Sequence, residues 1–70
     1  MRAYLVGAFR FDMLPKWALV EIGETTRDDI PRDVVYVNPE KCMLELGDTA
    51  YIASVGTELV RTVTVISGDE

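Results

Sequence analysis

The chain holds 70 residues, 49% of them hydrophobic, with a formal net charge of −5 and no histidine. A single small domain of this length buries only ~60% of the surface its unfolded chain exposes, so so much apolar content predicts self-association or a partner-covered patch. The acidic balance argues against phosphate-driven binding of DNA or RNA, and the absence of histidine removes the usual general base near neutral pH and the commonest zinc ligand.

One cysteine, Cys42, cannot form an intramolecular disulfide. With no secretory apolar segment and no run long enough to span a bilayer, the expected compartment is the cytoplasm, with no membrane partner. Charge is unevenly spread. Residues 1–20 set Arg2, Arg10 and Lys16 against Asp12, whereas residues 21–40 set six acids against Arg27 and Arg32.

Residues 1–11 alternate, with Ala3, Leu5, Phe9 and Phe11 on one face and Arg2, Tyr4, Val6, Ala8 and Arg10 on the other, which predicts a half-exposed first strand. The first of these is the apolar, inward face, and Gly7 interrupts it as a bulge or kink. Pro15 closes the segment, and Trp17 to Ile22, ended by Gly23, predicts a second strand antiparallel to the first. Residues 24–33 are polar. Thr26, with Asp29 three residues later, is placed to cap one helical turn before Pro31, a plain loop being the other reading.

Val34 to Val37 reads as a short strand. Residues 39–46 read either as a two-turn helix, with Asn38 as N-cap and Gly47 beyond its end, or as a turn at 38–41 followed by a strand over 42–46 with Cys42, Leu44 and Leu46 inward, the reading that alternation favours. Gly47-Asp48 fits a type II′ hairpin turn, from which residues 49–55 would pair back. The strongest strand signal is Leu59 to Ser67, the longest block rich in β-branched residues, with apolar side chains pointing both ways as in a central strand. The expected fold is therefore mainly β, a small curled antiparallel sheet or open barrel of five to six short strands, the alternative being an α+β sheet carrying a helix at 39–46.

Cys42 lacks the neighbouring base a catalytic thiol needs and reads as a buried structural residue. Glu24, Asp28, Asp29 and Asp33 lack the spacing and central glycine of a calcium loop, so no metal or cofactor is expected. The remaining candidate site is a binding surface of Arg2, Arg10 and Lys16 beside Tyr4 and Trp17, where cations and rings would hold an anionic or planar ligand.

The segment Ala8-Phe9-Arg10-Phe11-Asp12-Met13-Leu14, through Ala8-Phe9 and Met13-Leu14, resembles the opening of a small viral family that includes ring nucleases degrading cyclic oligoadenylates. Gly47-Asp48-Thr49-Ala50, Arg61-Thr62-Val63-Thr64-Val65 and Gly68-Asp69 are similar, in the same order, to later family segments. The resemblance implies a homodimer with a ligand pocket at its interface. Asp48 stands where the family has its catalytic histidine, and the 70 residues stop before the family's further C-terminal strand. A member altered in this way would bind without hydrolysing.

These readings converge on a small non-enzymatic module that self-associates, a dimer being favoured, and acts by protein–protein interaction, as a virus-encoded inhibitor of a host protein would. The alternative is a catalytically impaired ring-nuclease relative holding a small cyclic nucleotide. An acidic mimic of nucleic acid ranks last at this net charge.

Overall fold

A computed structural model describes residues 3–38, 41–53 and 56–68. Among these described residues five strands form one open mixed sheet: β1 (Ala3–Val6), β2 (Ala18–Thr26), β3 (Val35–Tyr36), β4 (Thr49–Ala53) and β5 (Leu59–Gly68), in the spatial order β2-β5-β4-β1-β3. The fold is mainly β, as the patterning predicts. Among the described residues the helical pieces are single 3₁₀ turns at Phe11–Met13 and Arg27–Asp29, so the helix of the α+β alternative does not form there.

The β-branched C-terminal run is β5, antiparallel to β2 on one side and β4 on the other. Val63 and Val65 are buried on one face and Val60 on the other, which accounts for the apolar residues pointing both ways. β2 runs past Gly23 to Thr26, longer than the strand from Trp17 to Ile22 that the sequence predicts. The single turn expected here forms as a 3₁₀ turn, but Thr26 does not cap it: its hydroxyl donates to Asp29 Oδ2 at 2.9 Å and makes no side-chain bond to the turn's backbone.

The purely antiparallel expectation fails at β1, which runs parallel to both β3 and β4 and pairs with neither end of β2. Residues 7–17 do not form a hairpin. They fold over the sheet, with Met13 buried, Phe9 and Leu14 packed on the core, and the Leu44 N–H donating to the Met13 carbonyl at 3.4 Å. Such a covering link carries the chain across the sheet to its far edge, so strands adjacent in sequence are separated in space. The two faces of β1 are also the reverse of the expected ones. Tyr4, at 8% exposure, and Val6 are buried, whereas Ala3 and Leu5 are only half-buried.

Ladder partners share a face, which places Tyr4, Ala50, Val63 and Ile22 in one row across the sheet and Leu5, Tyr51, Thr62 and Gly23 in the next, on the opposite side. The first face is the covered one: Met13, Cys42 and Leu44 close over Tyr4, Val6, Ala50 and Val65 as one cluster. Leu44, at 1% exposure, sits deepest among the covering side chains, and burying such a residue stabilises by about 1.5–3 kcal/mol.

Pro39 and Glu40 lie outside the described residues, and Lys41 to Leu46 is neither helix nor strand. Its side chains nonetheless alternate as the strand reading requires, Cys42 and Leu44 inward and Met43 and Glu45 outward, until Leu46, which is exposed rather than inward. The Glu45 carbonyl accepts the Asp48 N–H at 3.0 Å, with Gly47 at φ +88° in the third position of the turn, the place where a type II turn needs glycine. Gly47 N–H donates to the Val65 carbonyl, and Val65 N–H donates to the Asp48 carbonyl. That is a G1 bulge, so Gly47-Asp48 docks on β5 instead of making the expected II′ hairpin, and β4 pairs with β1 and β5 rather than with residues 42–46.

Candidate functional site

Of the proposed basic and aromatic set, four residues are described, and one of them is not on the surface. Tyr4 belongs to the buried core, and Arg2 lies outside the described residues. Arg10 and Lys16 are exposed, Arg10 making an ion pair with Asp12 at 3.3 Å. Trp17, 42% exposed, packs against Gly68, so close that a Cβ there would be 1.5 Å from its ring. Glycine at 68 is therefore what lets the indole cover the end of β5.

Two shallow grooves draw their linings from other residues. One, of about 290 Å³, lies between Leu5 of β1, Tyr36 of β3 and the link joining β2 to β3, from which Arg27, Ile30, Pro31, Arg32 and Val34 contribute. Two arginines and the exposed Tyr36 thus share one lining. Arg27 is already engaged, its Nε donating to the Thr57 carbonyl at 3.3 Å. The other groove, of about 240 Å³, sits at the end of the covered face among Glu24, Ile52, Thr57, Leu59 and Arg61. Glu24, Arg61 and Ile52 occupy one ladder row, so both charges there are set by register. Sequence reading missed Arg27 and Arg32 because they fall in a polar stretch whose destination depends on where β3 pairs.

The third feature is a sheet edge. Val65 directs its N–H and carbonyl toward residues 47–48, on the β4 side. Since backbone groups alternate along an antiparallel strand, Val60, Thr62 and Thr64 direct theirs toward β2, where they meet Thr25, Gly23 and Glu21. The N–H and carbonyl groups of Val20, Ile22, Glu24 and Thr26 consequently face outward. β2 is the end strand of the sheet, nine residues long, without proline or lysine. Leu19 and Ile22 stand exposed on its two faces.

Cys42 is buried beside Asp48; burial first, and the negative charge of Asp48 second, push its thiol above the usual 9.0, away from the reactive thiolate. Asp48 itself is 3% exposed and accepts the Glu45 N–H at 2.9 Å, so its carboxylate fixes the turn that seats Cys42 and Leu44. Among the described residues no cluster of His, Cys, Asp and Glu is arranged to hold a metal ion, and no helix is long and apolar enough to cross a membrane. Comparison with known proteins finds no matching family model, no matching curated protein and no matching solved structure.

Proposed function

We propose that the chain is a small non-enzymatic binding module that self-associates and acts by covering a surface on another protein. The observation that carries this reading is the apolar surface left open by the fold. Phe11, Trp17, Leu19, Ile22, Tyr36, Met43 and Leu46 all stand exposed. Exposed apolar area on that scale favours association, and a 70-residue domain gains stability from it that its own core cannot supply. The cysteine held as a neutral thiol and the carboxylate committed to a backbone turn are consistent with a binding rather than a catalytic role.

The test is light scattering coupled to size exclusion over a wide range of loading concentrations. A mass above the 7.8 kDa of one chain supports the reading, and a strict monomer at every concentration counts against self-association.

A second reading follows from the Arg27, Arg32 and Tyr36 groove and from the resemblance to ring nucleases: a small anionic, planar ligand such as a cyclic oligonucleotide, bound without hydrolysis. Guanidinium groups pair with phosphate, and a phenol ring offers a face for a base. Its volume, about 290 Å³, falls just short of the roughly 300–1,000 Å³ of small-molecule pockets, which ranks it second. Calorimetry with a panel of cyclic oligoadenylates decides it: no heat at high concentration removes the reading.

A further inference from the structure

The outer edge of β2 carries an inference about how the chain meets a second copy of itself. It rests on the self-association reading above and adds the surface and the register. We infer that two chains join β2 to β2, antiparallel across a twofold axis through Ile22, so that two five-stranded sheets continue as one.

The backbone supplies the first part of the argument. Val20, Ile22, Glu24 and Thr26 direct their N–H and carbonyl groups away from β5. Such an edge is a template for another strand, and proteins that keep it unpaired protect it with proline, charged side chains and lysine above all, a bulge or extreme shortness. β2 has no proline, lysine or bulge on its own strand, and its charges are the two carboxylates Glu21 and Glu24. The single register irregularity in its ladder, between Leu19 and Val20, places the extra residue on β5 at Ile66.

The side chains supply the second part, because they select one register. Outward-facing residues must meet outward-facing residues, which allows only axes at whole residues. An axis at Glu21 sets that carboxylate directly against its own copy, the close like-charge pairing that destabilises a ladder. Axes at Val20 or Gly23 leave part of the strand unpaired. With the axis at Ile22, the midpoint of Ala18–Thr26, every residue of the strand has a partner. Ile22 then meets Ile22, Val20 meets Glu24, Glu21 meets Gly23 and Leu19 meets Thr25, and no charge meets its like. The strand is complementary to itself about its own centre, which is what a twofold interface requires. Ile22, 58% exposed in one chain, would cover its copy on the face that already holds Val63 and Val65.

The test mixes two charge variants, Ile22→Lys and Ile22→Glu, with light scattering for mass and far-UV circular dichroism for fold. The wild-type chain should run at twice 7.8 kDa, and each variant alone should fall to the monomer mass with its β spectrum intact. Mixed in equal amounts, the two should regain the dimer mass, since lysine then faces glutamate across the axis. A wild-type dimer that survives both substitutions overturns the edge while leaving self-association standing; a monomeric wild type overturns both. Monomeric variants that stay monomeric when mixed overturn the axis at Ile22.

Discussion

The two edges of the sheet are built differently. β3 offers two residues, Val35 and Tyr36, reached through a link containing Pro31, and its ladder to β1 spans only Tyr4 and Leu5. β2 offers nine consecutive residues and pairs with β5 along its whole length. Both edges expose apolar side chains, yet only β2 presents a continuous row of outward backbone groups long enough to bind another strand. Apolar exposure alone does not make an interface; it becomes one where unsatisfied backbone polarity runs beside it.

The contrast can be broken most sharply by placing the same charge on each edge. Ile22→Lys should weaken self-association by about 100-fold, because opposing like charges across a seam cost several kcal/mol. Tyr36→Lys, at a side chain 78% exposed on the other edge, should leave the mass unchanged. Equal effects from the two, measured by sedimentation equilibrium, would erase the distinction.

Proline sharpens the alternation within β2. Thr25→Pro removes a donor that faces Val60, leaving a carbonyl of β5 unpaired, and should lower the unfolding free energy by about 1–3 kcal/mol. Glu24→Pro removes an outward donor instead, so its chief effect should be a roughly tenfold loss of association, about 1.4 kcal/mol, with a smaller change in urea midpoint. Identical midpoints for both variants would mean that the assigned directions of these groups are wrong.

Salt gives the smallest effect. Two chains of net charge −5 repel each other, and screening shortens that repulsion to within about 8 Å at physiological ionic strength. Dimerisation at β2 should therefore strengthen a few-fold between low and moderate salt. An anion held by Arg27 and Arg32 beside β3 should instead weaken, and isothermal titration at two salt concentrations separates the opposite signs.

Local patterning made much of this fold legible. The β-branched block at 59–67 announced β5, the polar stretch before Pro31 announced a single helical turn though not its cap, and alternation placed Cys42 and Leu44 inward. Pairing was not legible, because Ala3 to Val6 carries apolar residues on both faces and so fits either orientation, while the link that covers the core looks like a turn. The candidate surfaces depend on strand order, a property of contacts distant in sequence. Nothing local to Ala18–Thr26 says that it ends the sheet, or that Arg27 and Arg32 lie beside Tyr36.

The central claim concerns alternate amides of one strand, and hydrogen exchange of the wild-type chain at low and high concentration reads them one by one. Glu21, Gly23 and Thr25 should be protected at both concentrations by β5, whereas Val20, Ile22 and Glu24 should exchange freely when dilute and become protected as the chain associates. Association that leaves Val20, Ile22 and Glu24 exchanging as fast as before would contradict a seam at β2.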